Sequence, residues 1–360
     1  MIKLNKYTLK IIKNNDNLTS KQNIKYLKND ISFLVYFNND KFALFFIKIT
    51  NKNAFISYEF TNNKYFNIYH FSYILKLICN YLFNKNIENI YILSKFNCLE
   101  KIGFNKILHS ENIFYRGKAL TKISYILNKN DFYFMNKYDT ILFDIDDTIL
   151  SFHKAEKYAL TKALAKVNIK ANDKIIKHYH KINMSYWEKV EKKLITREQC
   201  VVDRFKEFLP LYNVSYDPNK FEDLYRYYLN KQAFIIKDAR KVLTKLSKTH
   251  RIYAITNGVK LTQQLRMKKA NMNKYFIKSF ISEVIGFDKP SFEFFDYVKN
   301  NIENFNANKT IIIGDSLTSD IKLGNNNNID TCWFNLHKIQ NTKNITPKYV
   351  IYYLDELILK

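Results

Sequence analysis

Apolar residues recur in short extended runs over the first third of the chain. Runs at 31–38 and 41–50 flank Asn38-Asn39-Asp40, turn chemistry that predicts a hairpin. A third run at 55–60 precedes helical spacing over 69–83, a short strand at 90–93 and a turn of helix ending at Gly103. This is mixed α+β material. Between 118 and 137 the period weakens, so the pattern predicts a first domain over 1–120, a linker over 121–136 and a second domain over 137–360.

The second domain opens on a near-continuous apolar run, 138–144, of the kind found in a parallel strand buried on both faces. Helical spacing then occupies 155–167, 175–194, 197–209 and 221–229, and Thr196-Arg197-Glu198-Gln199 is a capping box opening the third of these. From 238 onward short apolar strands alternate with helices: 242–246, 252–255, 261–267, 280–284, 292–298, 311–313 and 321–323. That alternation predicts a doubly wound, Rossmann-like parallel sheet. Its core would be 137–152 with 237–360, and the helical stretch 153–236 an insertion between its first two strands.

In open parallel sheets ligands bind beyond the carboxyl ends of the strands. The first run ends in Asp144-Ile145-Asp146-Asp147-Thr148. The two-residue period of an extended chain points Asp144 and Asp146 the same way, and two such carboxylates stay ionised together beside a hard cation such as Mg²⁺. The next strand ends in Thr256-Asn257-Gly258, a hydroxyl and backbone N–H groups suited to a phosphate. Gly286-Phe287-Asp288-Lys289-Pro290 contributes an ammonium, and Gly314-Asp315-Ser316-Leu317-Thr318-Ser319-Asp320 two more acids. Hydroxyl, amides, lysine and metal-binding acids on one sheet edge describe a phosphoryl-transfer site.

Composition changes this picture little. The formal charge is +25, from 58 basic and 33 acidic residues. It divides into about +12 over 1–135 and about +13 over the remainder, with no basic stripe, so a nucleic-acid partner is not expected. Abundant Lys, Asn, Ile, Tyr and Phe with scarce Gly and Pro reads as AT-rich coding. The scarcity is nevertheless informative: of six glycines, Gly258, Gly286, Gly314 and Gly324 stand in or beside the strand-end segments. Four cysteines, Cys79, Cys98, Cys200 and Cys332, lack the spacing of a zinc site or disulfide framework, which fits a reducing cytoplasm. Neither an apolar signal core nor a run long enough to span a membrane is expected.

These strand-end segments, in this order, resemble the four motifs of the haloacid dehalogenase-like phosphatases, with 153–236 similar to that family's cap. The resemblance narrows further. Ser151-Phe152-His153-Lys154-Ala155-Glu156, Ile195-Thr196-Arg197-Glu198, Ser282-Glu283-Val284-Ile285-Gly286 and Ile329-Asp330-Thr331-Cys332-Trp333-Phe334-Asn335 look like the YjjG-type pyrimidine 5′-nucleotidases. The resemblance implies Asp144 as nucleophile forming an aspartyl phosphate, and Asp146 as general acid and base. It implies Mg²⁺ held by the carboxylates of Asp144 and Asp315 and the backbone carbonyl of Asp146. It also implies phosphoryl binding by Thr256, Asn257, Gly258 and Lys289, with Asp320 orienting Lys289 or a metal-bound water. Pyrimidine monophosphates are the implied substrates, sugar phosphates the alternative, and Tyr186, Trp187 and His153 the candidates for contacting the base. One departure is Asn327-Asn328, where the family usually reads Ala-Gly; Asn tolerates the left-handed conformation such a turn needs.

The first domain's order of hairpin, strand, helix and strand, followed by Asn97-Cys98-Leu99-Glu100-Lys101-Ile102-Gly103-Phe104, resembles the GCN5-related N-acetyltransferases. That resemblance implies acetyl-CoA as a ligand, its pyrophosphate held by a Gly-rich loop. The equivalent stretch here, 62–69, has no glycine, and Leu99 stands where the family often has a catalytic Tyr. Both substitutions point to a non-catalytic or weakly active module.

Overall fold

The computed structural model describes residues 2–4, 7–12, 31–37, 40–60, 68–94, 99–100, 104–115 and 118–358. The chain divides into two units, one running to Asn136 and the other spanning Lys137–Ile358.

The first unit holds β1 (Ile2–Leu4), β2 (Tyr7–Ile12), β3 (Ile31–Phe37), β4 (Asp40–Thr50), β5 (Asn53–Phe60), α1 (Ile68–Phe83), β6 (Asn89–Ser94), β7 (Asn105–Tyr115), β8 (Lys118–Asn128) and the one-turn α2 (Lys129–Phe132). They build one sheet in the order β1-β2-β3-β4-β5-β6-β8-β7. All neighbours are antiparallel except β5 and β6, which run parallel with α1 as their crossover. Phe33 and Val35 on β3, and Ala43, Phe45 and Ile47 on β4, are fully buried at alternate positions, as one covered face requires. On α1, Phe71 stacks on Phe45 with ring centroids 6.0 Å apart. The turn residues Asn38 and Asn39 lie outside the described residues, as do 62–67 and 95–98.

Residues 121–136, expected to be a linker, carry most of β8, then α2 and a 3₁₀ turn, Phe134–Lys137. The weak apolar period misled because β8 is paired along both edges, with β6 and with β7. Main-chain hydrogen bonds on two sides hold a strand whose side chains signal poorly. Its last part does alternate, with Tyr125 and Leu127 buried between partly exposed neighbours.

The second unit contains a six-stranded sheet. Its elements are β9 (Thr140–Asp144), the cap helices α3 (Phe152–Lys166), α4 (Asp173–Glu191), α5 (Arg197–Phe208) and α6 (Pro218–Asn230), then α7 (Ala239–Leu246), β10 (Arg251–Thr256) and α8 (Lys260–Lys269). β11 (Lys278–Ile281), α9 (Ser282–Ile285), α10 (Phe292–Asn300), β12 (Thr310–Gly314), α11 (Lys322–Asn326), β13 (Asp330–Phe334) and β14 (Tyr349–Ile351) complete it. The sheet order β11-β10-β9-β12-β13-β14 is parallel throughout. Renumbered by chain order this is the 3-2-1-4-5-6 arrangement, whose direction reverses between β9 and β12. Every residue of β9 and β12 is buried, which accounts for their unbroken apolar sequence.

The cap helices close around their own core, in which Tyr179 and Phe205 stack at 5.2 Å. Two strands of backbone join cap to sheet. Ser151 N donates to Phe234 O and Ile236 N to Ile149 O, so the entry and exit of the cap are hydrogen-bonded to each other. At the Asn327-Asn328 turn, Asn328 adopts φ 55°, the left-handed conformation.

Candidate active site

The parallel register sets the site. Ile255 lies opposite Asp144 and Ile313 opposite Phe143, so Thr256, Gly314 and Asp315 emerge beside Asp144 at the reversal point of the sheet. Lys289 arrives from the segment after α9, and Asp320 from a helical turn, Leu317–Ile321, that follows β12.

Lys289 is the hub. Its Nζ lies 2.7 Å from Asp144 Oδ1 and 2.6 Å from Asp320 Oδ1, and donates to Ile255 O at 3.2 Å. Its backbone is clamped by one carboxamide: Asn257 Oδ1 accepts from Lys289 N at 2.8 Å, and Asn257 Nδ2 donates to Lys289 O at 2.9 Å. Asn257, expected to touch a phosphate, therefore fixes Lys289 through its side chain. Ser316 N donates to Asp320 Oδ2 at 3.1 Å, holding that carboxylate in place. A Cβ at Gly314 would fall 2.2 Å from Asp320 Oδ2, so only glycine leaves room there.

The electrostatics are those of crowded acids. Burial pushes the Asp144 carboxyl up to about 8, with Asp320 and Asp146 adding to the shift and Lys289 opposing it. Asp315 is raised well above the carboxylate range, first by burial and then by Asp144, Asp320 and Asp147. Burial pulls Lys289 down, but Asp144 and Asp320 more than offset this and hold it above the ordinary lysine value. The carboxylate oxygens of Asp144, Asp315 and Asp320 come within 4.8 Å of one another. Three acids against one ammonium leave an excess of negative charge that a hard divalent cation with oxygen ligands neutralises, so the donor set fits Mg²⁺.

Asp146 is held by a different element. Gln263 Nε2, on α8, donates to Asp146 Oδ2 at 2.5 Å and to Thr256 Oγ1 at 2.8 Å, and Arg266 Nη1 donates to Asp146 Oδ1. Gly258 N donates to Thr256 Oγ1 at 3.0 Å. A Cβ at Gly258 would lie 2.2 Å from Gln263 Nε2, so this glycine makes room for the glutamine. Arg266 is fully buried, packed over the Phe152 ring, and its Nε and Nη2 find no hydrogen-bond partner among the described residues. Sequence reading missed Gln263 and Arg266. They sit inside a helix whose leucines point the other way: Leu261 is 54% and Leu265 39% exposed, while Thr262, Gln263 and Arg266 are buried.

Above these groups lies a cavity of about 210 Å³ between sheet edge and cap. The acids, Thr256 and Lys289 form its floor, and Trp187, Met184, Asn183, Arg204 and Glu222 belong to its cap side. Of the three aromatic candidates only Trp187 lines it. Tyr186 is instead occupied by Glu207, and Lys189 stands over its ring; burial and Glu207 push its hydroxyl up to about 12. His153 is exposed and lies against His180. The polar roof was also unforeseen: Arg204 donates to Asn183 Oδ1 at 2.7 Å and to Glu222 Oε2 at 2.8 Å, all three buried. Arg197, at the first turn of α5, reaches across to Ser282 Oγ at 2.6 Å and to Asp288, one residue before Lys289. Glu191, at the end of α4, bonds Thr318, and burial raises its pKa.

A parallel sheet with its acids at the reversal point and a helical cap over them defines a Rossmann-like α/β core with a capped site, and the haloacid dehalogenase-like hydrolase family model matches residues 138–327. The chain belongs to that family. It is 39% identical to the HAD-hydrolase YfnB of Bacillus subtilis over 223 residues, 62% of this chain and 95% of that protein. It is also 33% identical to the pyrimidine 5′-nucleotidase PynA of Streptococcus pneumoniae (61% of this chain, 94% of PynA) and 28% identical to the pyrimidine 5′-nucleotidase YjjG of Escherichia coli (61% and 96%). The magnesium-bound crystal structure of YfnB superposes with a TM-score of 0.59 at 38% identity, covering 62% of this chain and 99% of that one. All of these matches fall short of the whole chain, and the family match lies wholly within the second unit.

Proposed function

We propose that the second unit is a Mg²⁺-dependent phosphatase of nucleoside 5′-monophosphates, with pyrimidine nucleotides such as UMP, dUMP and dTMP as its substrates. The observation that carries this reading is the convergence of Asp144, Asp146, Thr256, Lys289, Asp315 and Asp320 on the floor of one capped cavity. Kinship with two pyrimidine 5′-nucleotidases supports the substrate class.

In this reading an oxygen of Asp144 attacks phosphorus, the bond from phosphorus to the ester oxygen breaks, and Asp146 gives its proton to the leaving nucleoside oxygen. Asp146, now a carboxylate, then takes a proton from the water that attacks the phosphorylated Asp144, which releases phosphate, returns Asp144 as a carboxylate and leaves Asp146 protonated for the next cycle. Gln263 and Arg266 hold Asp146 at the position from which it can do this. Thr256 Oγ1 and Lys289 Nζ bind phosphoryl oxygens, and Asp320 keeps Lys289 aimed at them. Asp144, Asp315 and the carbonyl of Asp146 would hold Mg²⁺, which when bound would neutralise charge on the phosphoryl group. On the cap side Trp187 offers a ring face for the base, and the Asn183–Arg204–Glu222 array offers donors and acceptors.

The test is a phosphate-release screen over all ribo- and deoxyribonucleoside monophosphates, with Mg²⁺ and with EDTA. Preference for UMP, dUMP and dTMP that vanishes in EDTA is the expected result. Equal rates with purine nucleotides and sugar phosphates would remove the base selectivity, and activity in EDTA the metal requirement.

For the first unit we infer an acetyltransferase-like fold that does not transfer acetyl groups. A helix crossing between two parallel strands inside an otherwise antiparallel sheet supports the fold, and full burial of Leu99 supports the lack of chemistry. Isothermal titration with acetyl-CoA should give no heat at millimolar ligand; binding accompanied by acetyl transfer to an amine would overturn this.

A further inference from the structure

We propose that His153, Glu156 and His180 form a second cation site, selective for Zn²⁺ or a similar nitrogen-preferring divalent metal, set in the cap beside its hinge. It shares no residue with the carboxylate cluster of the sheet edge, and it does not rest on the phosphatase reading. The three side chains each bring one ligand atom within 4.8 Å of the other two. His153 and Glu156 are three residues apart on α3 and so share a face; His180 comes from α4.

The donor set decides the metal. Two imidazoles and a carboxylate are the ligands of zinc-type sites, whereas the all-oxygen set of Asp144, Asp315 and Asp320 suits Mg²⁺. Glu156 is fully buried, and both its oxygens are engaged: Oε2 lies 2.6 Å from His180 Nδ1, and Oε1 accepts from Asn183 Nδ2 at 2.7 Å. An outer hydrogen bond of the latter kind fixes the orientation of a metal-binding carboxylate. A Glu156–His180 ion pair by itself accounts for two of these groups. It does not account for His153, whose ring stands 5.1 Å from that of His180, nor for His337, from the β13–β14 connection, 6.4 Å from His153. His337 stands beside His153, outside the group of three ligand atoms. Ligand atoms about 2.0–2.2 Å from an ion lie closer together than 4.8 Å, and the exposed His153 can rotate inward by the remaining ångström or so.

The site has a structural connection to the cavity. Glu156 bonds Asn183, Asn183 bonds Arg204, and Arg204 bonds Glu222, so an ion on Glu156 anchors the polar roof. Two residues before His153, Ser151 N bonds Phe234 O across the cap's two connections. A metal on His153, Glu156 and His180 therefore joins α3 to α4 beside those connections.

Titration of the tag-free full chain with Co²⁺ in excess Mg²⁺ tests this. One equivalent should bind with the intense visible absorption of a four- or five-coordinate nitrogen-ligated ion, and Zn²⁺ should displace it. His153→Ala, exposed and compatible with folding, should weaken Co²⁺ binding by more than about tenfold, as should His180→Gln, while Asp315→Asn leaves it unchanged. Absence of the absorption in the wild-type chain, equal binding by His153→Ala, or loss of binding in Asp315→Asn would each overturn the proposal.

Discussion

Arg266 donates to one oxygen of Asp146 while its neighbour one helical turn back, Gln263, donates to the other. The Asp146 carboxylate, the proposed general acid and base, is thus oriented by two side chains of α8, and the same glutamine reaches Thr256.

Removing either α8 contact should slow chemistry rather than binding. Gln263→Ala and Arg266→Lys are expected to lower kcat by about 10- to 100-fold, a fraction of what a general acid contributes, with KM moving less than about threefold. Steady-state kinetics on the best nucleotide checks this. A rise in KM at constant kcat would assign both residues to substrate binding instead.

The Arg197 contact predicts a role for cap closure. Its guanidinium bonds Ser282 and Asp288 beside Lys289, from the first turn of a cap helix. Arg197→Ala should lower kcat/KM by about tenfold, with a melting temperature within a few degrees of wild type, because the cap retains its own aromatic core. Unchanged kinetics would mean that the cap closes without this contact.

Gly314 gives a steric prediction. An added methyl would collide with the Asp320 carboxylate, which would have to abandon both Lys289 and Ser316 N. Gly314→Ala should cost about 1–3 kcal/mol of stability and most of the activity. Wild-type turnover in this variant would show that Asp320 is dispensable for aiming Lys289.

The strand-end groups were legible because a parallel strand buried on both faces announces itself and its last residue marks the ligand edge. Asp144, Thr256, Lys289, Asp315 and Asp320 all meet there. What escaped lies in helices. Gln263, Arg266, Arg204 and Glu222 are polar side chains on amphipathic patterns, where the ordinary expectation places them in water; here all four are buried, Gln263, Arg204 and Glu222 line the cavity, and in α8 the leucines face out. The one available signal was positional, since α8 starts two residues after Gly258 and its first turn must lie over the phosphate-binding edge. β8 escaped for a different reason: pairing on both edges replaced the side-chain period that sequence reading depends on.

Metal and pH are linked through the acids. A carboxyl whose pKa rises on folding, as that of Asp144 does from 3.8 to about 8, takes up a proton in the folded state. Stability therefore falls as pH rises through that interval in metal-free protein. Bound Mg²⁺ favours the ionised acids and opposes this loss. In EDTA the melting temperature should decline from pH 5 to pH 8, and the Mg²⁺-induced increase should grow over the same range, about 5 to 8 being the span within those two pKa values. A Mg²⁺ effect independent of pH would contradict the assignment of Asp144 and Asp315 as its ligands.

The most direct measurement is phosphate release from UMP by the Asp144→Asn variant in saturating Mg²⁺, alongside wild type. Replacing one oxygen by an amide preserves shape and removes the nucleophile, so the account predicts no release above the uncatalysed background from a variant that melts as a folded protein. Turnover within about a hundredfold of wild type would contradict attack by Asp144.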